Sequence, residues 1–474
     1  MTNFSVEPTK TVVILGGSYG GNAAAALLAK RLPRGWKLLL IDRNSHINHV
    51  YSLPRFGILP GHEHKAFIPY DRVFDRDTLD GPDHEFIHGQ VVSLSPYSIT
   101  LHVYPLNEGK PAAPSPFPSV PATASCYTRT RTRPNLRRIT FDYLIYALGS
   151  HFPAPINLWG PVPSPAIVDP PTVFWPKAQS GYQGGKNQAS KWLRKHQQVV
   201  KRARSVLVVG GGPLGIQYAT DIKSVHPEKR VTLLHSRAQL LPRFSEALHD
   251  AAKTRIEEAG IRLILGKRLD LKSVHEIPAR RNEAGERIVR TVDGEECETD
   301  LIFLCTGQVP NTSLLDEMDS RVIVPETKQA RVLRTMQLGL VSPSPSSTGS
   351  ESETTPYPHI FAVGDAADAF GAIQAGHMSY YQAELAARNI VKMIEHQASL
   401  EKGSLSSEKD NEPELEEYYP KPPSIKVTFG LGHAVSQQQD GSITVNDDAS
   451  DDLDARGMWG LLGHPNPSDE EMRR

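Results

Sequence analysis

The chain has 474 residues, a formal net charge of −1 and 39% apolar residues, which suffices for two or three domains with full cores. So balanced a charge excludes the bulk positive field that draws proteins to nucleic acid or to a membrane surface. The three cysteines, Cys126, Cys297 and Cys305, form no CxxC pair, no metal-ligand spacing and no disulfide framework, which argues against a metal site and thiol–disulfide catalysis and points to a reducing, cytoplasmic compartment.

The N-terminus, Met1-Thr-Asn-Phe-Ser-Val-Glu7, has no apolar core of a signal peptide, no Arg-rich transit pattern and no Met-Gly start for myristoylation. No apolar stretch approaches the roughly 20 residues of a transmembrane helix, so membrane contact is expected to be peripheral at most. The first element is Thr11-Val-Val-Ile-Leu-Gly-Gly-Ser-Tyr-Gly-Gly21. Its β-branched and aliphatic run predicts a buried parallel strand, Val12 to Leu15, ending in a glycine turn. An alanine-rich helix, Asn22 to Arg31, follows; its N-terminus presents free N–H groups and a positive dipole end to a pyrophosphate. The second strand, Trp36 to Ile41, ends at Asp42, where a carboxylate accepts from a ribose 2′-OH. Within the GxGxxG register, Gly16 and Gly21 are present but the middle position is Ser18. A serine adds a Cβ where close backbone approach is wanted, while its hydroxyl can bond a phosphate oxygen.

A Pro/Ser/Thr-rich insertion, about Pro105 to Arg138, reads as a surface loop or hairpin. Its arginines 129, 131, 133, 137 and 138 form either a patch for an anionic partner or a solvated face. Phe141 to Ser150 is a buried strand with a glycine turn. The second fingerprint, Ser205-Val-Leu-Val-Val-Gly-Gly-Gly-Pro-Leu-Gly215, has all three motif glycines, Gly210, Gly212 and Gly215. Its second strand, Arg230 to Leu234, ends in His235-Ser-Arg237 without an acid. Either Arg237 pairs with the 2′-phosphate of NADPH or it is a solvated strand-end residue. Leu301 to Asn311 is another strand, turning on Gly307. Residues 342–358 are of low complexity. The strand Ile360 to Val363 leads into Gly364-Asp365, and a helix runs from about Gln374 to His396. Residues 399–423 read as a linker, Ile425 to Gly432 as a strand, and the rest as an acidic, mobile tail. Within that tail, Met458-Trp-Gly-Leu-Leu462 either docks on the body or touches a membrane.

These motifs, in this order, resemble those of the FAD/NAD(P)-dependent pyridine-nucleotide oxidoreductases. The likeness is greatest to the apoptosis-inducing-factor-like branch, which includes the ferroptosis-suppressor type of NAD(P)H:quinone oxidoreductase. It covers about Thr11 to His433 outside the insertions. The resemblance implies that Gly16, Gly17, Ser18, Tyr19, Gly20 and Gly21 hold the FAD pyrophosphate and that Asp42 meets the ribose. It further implies a flavin-side role for Arg55 in the loop His49 to Arg55, an adenine main-chain contact at Val91, and an ATG-like turn at Ala147-Leu-Gly149. Gly364 and Asp365 correspond to the residues that bond the ribityl or pyrophosphate part of FAD. On the nicotinamide side it implies Gly210, Gly212, Gly215, Gln217, His235, Arg237 and Gly307. Gln217 stands where the family often has glutamate. His377, near the start of a helix aimed at the flavin pyrimidine, either assists protonation or is a packing histidine.

The expected fold is α/β with two Rossmann-like dinucleotide-binding domains. An FAD domain (residues 1–189 and 326–395) is interrupted by an inserted NAD(P) domain (190–325). A linker (396–424) and a short C-terminal interface element with the acidic tail (425–474) follow. The expected activity is hydride transfer from NAD(P)H to FAD, then electron delivery to a small acceptor, which the resemblance implies is a quinone. The alternatives are reduction of a small electron-carrier protein, or a redox-switched flavoprotein with a signalling role. Oligomeric state is left open.

Overall fold

A computed structural model describes residues 10–74, 83–104, 136–152, 156–157, 184–340, 355–402 and 412–474. Cys126, the arginines at 129, 131 and 133, and most of the low-complexity stretch at 342–358 lie outside the described residues.

Two sheets organise the chain. The larger has eight strands in the spatial order Gln337–Leu338, Tyr357–Ala362, Tyr143–Tyr146, Lys10–Leu15, Trp36–Asp42, Asp83–Ser95, Ser98–Val103 and Leu136–Thr140. Its centre is parallel, with Val12 to Leu15 in register with Tyr143 to Tyr146 on one side and Leu38 to Ile41 on the other. These strands are buried on both faces, as their unbroken aliphatic runs require. The 13-residue strand Asp83–Ser95 outruns the parallel core and turns back as a hairpin with Ser98–Val103. The smaller sheet is all parallel, in the order Arg262–Ile264, Arg230–Leu234, Ser205–Val209, Leu301–Leu304. Each central strand feeds a glycine turn and a helix, Tyr19–Arg31 in the first case and Pro213–Val225 in the second.

The helix Tyr19–Arg31 lies against the long helix Gly376–Glu401, and small residues set their spacing. A Cβ on Gly20 would come within 3.0 Å of the Ser379 carbonyl oxygen. The long helix extends to Glu401 instead of ending at His396, so the boundary expected at 395/396 falls inside it. The boundary at 189/190 likewise falls inside the helix Lys186–Arg202. The two crossings between the sheets run side by side, since Ser150–His151 pairs antiparallel with Val309–Pro310. Asn311 closes this junction by donating its backbone N–H to the Gly149 carbonyl at 2.9 Å and its amide N–H to the Leu148 carbonyl at 2.8 Å.

The C-terminal region departs from expectation. Three antiparallel strands, Ile425–Thr428, Ala434–Gln437 and Ile443–Asn446, place Val427, Phe429 and Val435 in the core of the smaller sheet. The acidic tail is not mobile: its helices Ala455–Leu461 and Asp469–Arg473 dock beside the short helical turn Glu63–Ala66. Trp459, Leu462 and Met472 are buried in the main core, and the Trp459 indole N–H donates to the Lys65 carbonyl at 2.9 Å. The acids that suggested solvation pair instead, Asp452 with Lys65 and Asp469 with His64. Lys186 is buried and clamps the tail, donating to the carbonyls of Met472 at 2.7 Å and Phe67 at 3.1 Å beneath the Trp459 ring. Three apolar anchors thus outweigh the charge that composition emphasised. Trp459→Ala should lower unfolding stability by about 3–5 kcal/mol, measured by denaturant titration; a change under about 1 kcal/mol would show that the tail is not part of the core.

Candidate functional site

The first glycine turn is shaped by the protein's own backbone. A Cβ on Gly21 would lie 1.7 Å from the Gly16 carbonyl oxygen, and one on Gly16, at φ +90°, would lie 2.4 Å from that of Ala147. Gly17 is faced by Tyr70, whose ring a Cβ would meet at 2.5 Å. Ser18 caps the helix without a side-chain bond to it; its hydroxyl donates to the Asn48 carbonyl at 3.3 Å. The added side chain is therefore tied to the neighbouring strand, and the first N–H groups of the helix keep their freedom to bind an anion.

Asp42 is buried at the end of its strand, accepting the Gly17 N–H at 2.6 Å and the Asn44 N–H at 2.7 Å. Burial pushes its carboxyl above the ordinary range, against the pull of those two bonds. Each carboxylate oxygen has two lone pairs, so a ribose hydroxyl can still be accepted. Asp365 occupies the corresponding place at the end of Tyr357–Ala362, and burial raises its carboxyl too. It accepts the Ser150 hydroxyl at 2.8 Å, while Gly364, at φ +72°, donates its N–H to the Gln382 side chain at 2.8 Å. Gly364, Asp365, Gln374, Ala375, Met378 and Gln382 line one concave pocket at the start of the long helix. Ala147, Gly149 and Asp365 thus meet the first turn at the carboxyl ends of parallel strands, where ligands of open α/β sheets sit.

Tyr19, the first residue of its helix, packs its ring on Gly376 and shares a hydrogen bond of 2.9 Å with His49 Nδ1. The Tyr51 N–H donates to the Tyr19 oxygen at 3.4 Å, so the tyrosine proton points at His49. Burial pushes His49 down to about 4 and leaves it a neutral imidazole. His377 is the second residue of the long helix; burial lowers its pKa, and its Nε2 is buried with no partner among the described residues. Val91 lies on the hairpin, paired with Leu101 beside a register shift. His88 is the residue level with Asp42, so Val91 stands three residues, roughly 10 Å, further along the strand.

The second turn repeats the construction. A Cβ on Gly210, at φ +125°, would lie 2.1 Å from the Cys305 carbonyl oxygen, and one on Gly215 would lie 1.9 Å from that of Gly210. Gly212 differs: its φ is −84°, and a Cβ there would meet no atom within 4 Å. Neither strain nor a protein neighbour demands glycine at that position. An open cradle at the head of a helix is what a pyrophosphate approaching the backbone requires. Gly307, at φ +127°, opens onto the same free space criterion. His235 packs its ring against Gly211, and Arg237 is exposed.

Arg55 is the chief departure from the expected site. It is fully buried, and its Nε donates to Asp221 Oδ2 at 2.7 Å. Its Nη atoms donate to the carbonyls of Asp451 at 2.9 Å and Gly430 at 2.8 Å. One guanidinium thereby joins the loop of the larger sheet, the helix of the second turn and the C-terminal element. Burial pushes Asp221 up to about 6, opposed by the charge and hydrogen bond of Arg55. Gln217, one helical turn before Asp221, points its amide at the Tyr51 carbonyl from 3.5 Å. Asp221 escaped the sequence reading although its i+4 spacing from Gln217 puts both on one helix face. Tyr70 and His49 carried no motif signal at all.

Residues 10–387 match the pyridine nucleotide-disulphide oxidoreductase family. Fe-regulated protein 8 of Mycosarcoma maydis is 36% identical over 456 residues, 96% of this chain and 95% of its own. Ferroptosis suppressor protein 1 of Homo sapiens is 26% identical over 390 residues, 81% and 80% of the two chains. The crystal structure of the sulfide:quinone oxidoreductase of Aquifex aeolicus superposes with a TM-score of 0.59 over 98% of this chain and 94% of its own, at 15% identity. Arg55→Ala, which strands Asp221 as a buried lone charge, should cost about 3–5 kcal/mol. The double change Arg55→Met with Asp221→Leu should cost less than the single one in the same denaturation assay; equal costs would mean the pair is not coupled.

Proposed function

Because the chain belongs to the pyridine nucleotide-disulphide oxidoreductase family, with FAD as cofactor and NAD(P)H as co-substrate, we propose that this NAD(P)H-dependent flavoprotein oxidoreductase delivers its electrons to a quinone. When bound, the flavin accepts a hydride from the nicotinamide and gives up two electrons to the acceptor. The protein's part is positioning and electrostatics. Gly16 to Gly21 and Asp42 hold the FAD pyrophosphate and ribose, Asp365 holds the ribityl side, and Gly210 to Gly215 hold the nicotinamide dinucleotide. The observation that carries the reading is the pairing of the two turns. The helix leaving the second turn is fastened through Asp221 to Arg55, on the loop that also carries His49 and Tyr51 beside the first turn.

The family's disulphide chemistry has no footing in the two described cysteines. Cys297 and Cys305 are both buried and unpaired, and burial raises both thiols. Cys305 is packed beneath Gly210 and Gly215. A small diffusible acceptor fits such a site, and the names of the relatives lean the same way. One structural neighbour is a sulfide:quinone oxidoreductase, and the motif resemblance is to the ferroptosis-suppressor type. A protein carrier finds less support: Arg137 pairs with Glu85, and Arg138 donates to Ser98. His377, neutral and with a free Nε2, is the group at the head of the long helix able to take or give the proton that quinone reduction consumes.

Steady-state oxidation of NADH or NADPH by the purified holoenzyme should accelerate several-fold with a water-soluble short-chain benzoquinone and be insensitive to salt. A rate that rises only with an acidic iron–sulphur carrier, and collapses between low and high salt, would contradict the quinone assignment.

A further inference from the structure

Resting on the reading that the second turn docks a nicotinamide dinucleotide, we propose that the coenzyme is NADPH, selected by Arg237 through its 2′-phosphate. In a βαβ nucleotide unit, the residues just past the second strand meet the adenosine ribose. An acid there accepts from the 2′-OH of NADH and repels a phosphate, whereas an arginine offers a phosphate two parallel N–H donors. Here the second strand ends at Leu234 and continues as His235-Ser236-Arg237.

The structure makes this tripeptide a fixed shelf. The Gly210 N–H donates to the Leu234 carbonyl at 2.8 Å and ties the strand end to the glycine turn. On the other side, the His235 N–H donates to the Ile264 carbonyl at 2.8 Å and the Lys267 N–H to the His235 carbonyl at 3.1 Å. The Gly266 N–H donates to the Arg237 carbonyl at 3.0 Å. The imidazole of His235 lies on Gly211, where a Cβ would come within 2.7 Å of its ring. The shelf therefore sits directly against the turn that receives the pyrophosphate, and its backbone does not depend on a ligand for its shape.

The charges around it then decide which ribose it fits. Arg237 is exposed, and its guanidinium has no hydrogen bond or ion pair among the described residues. Lys267 is committed to Asp293 at 2.9 Å and Glu295 at 2.7 Å, and Arg262 is committed to Glu295 at 3.0 Å. Arg243 is drawn away to the Gly371 carbonyl. Arg268, exposed on the neighbouring strand end, is the next cation along and serves as the control. The neighbouring Arg237 charge, with burial, keeps His235 neutral by lowering its pKa. The strand end thus offers one uncommitted guanidinium and two hydroxyl or imidazole donors, and none of its three residues is a carboxylate that a phosphate must overcome.

The test is calorimetric binding of NADP⁺ and NAD⁺, the oxidised nucleotides, to the FAD-loaded full chain, so that no turnover enters the readout. The wild type should bind NADP⁺ more tightly than NAD⁺. Arg237→Ala should weaken NADP⁺ by about 10- to 100-fold, the range of a charge-assisted hydrogen-bond pair, while leaving NAD⁺ within twofold. Arg268→Ala should alter neither. Equal affinity for the two nucleotides in the wild type overturns the proposal, as does an Arg237→Ala effect shared by both or a loss confined to Arg268→Ala. Failure of either nucleotide to bind the holoenzyme overturns it by removing the two-nucleotide reading beneath it, a result distinct from the others.

Discussion

The buried contact between Arg55 and Asp221 holds the two nucleotide turns in one frame. Burying a charge pair costs several kcal/mol per ion and is repaid only by close geometry and by satisfying the remaining donors. Here the guanidinium meets both conditions, with a carboxylate on Nε and main-chain carbonyls of Asp451 and Gly430 on its Nη atoms. Those partners come from three parts of the chain far apart in sequence. A hydrophobic contact in the same place would tolerate sliding, whereas three directed hydrogen bonds fix both the distance and the angle. Gly430, at φ +74°, is part of that fit: a Cβ there would stand 2.0 Å from the Ser224 hydroxyl, so the turn can approach the helix only as glycine.

Electron transfer between two bound cofactors needs that kind of precision, since a reacting pair misplaced by an ångström loses much of its rate. The helix of the second turn carries Gln217 and Asp221 on one face. Asp221 anchors it to the loop whose His49 meets Tyr19, and Gln217 faces the same loop at Tyr51. The displacement of the ionic contact by one turn, from the position of Gln217 to that of Asp221, leaves an uncharged amide at the place where relatives often have glutamate. The same loop leads through Lys65 to the docked tail, so the C-terminal residues brace the junction from behind.

Much of this was legible in the residues. The two strand–turn–helix units were read from unbroken aliphatic runs and glycine spacing, because a buried parallel strand and a close helix packing each demand a restricted residue type. Gly16, Gly21, Gly210 and Gly215 carry that demand in the form of clashes under 2.5 Å. What composition obscured was the tail, whose acids suggested solvation while Trp459, Leu462 and Met472 supplied the packing that decides its place. Arg55 and Asp221 were beyond pattern reasoning for another reason: their contact spans 166 residues, and nothing local to either position records it. Tyr70 against Gly17 and Ser18 bonded to Asn48 belong to the same class of long-range detail.

The central claim is that one chain brings a nicotinamide dinucleotide and a flavin together across the Arg55–Asp221 junction. The visible spectrum of the purified protein, followed anaerobically as NADPH or NADH is added, tests it most directly. The account predicts flavin bands that bleach in proportion to added nucleotide, about one equivalent per flavin. A colourless protein that takes up no FAD on reconstitution, or a bound flavin that neither nucleotide bleaches, would contradict it.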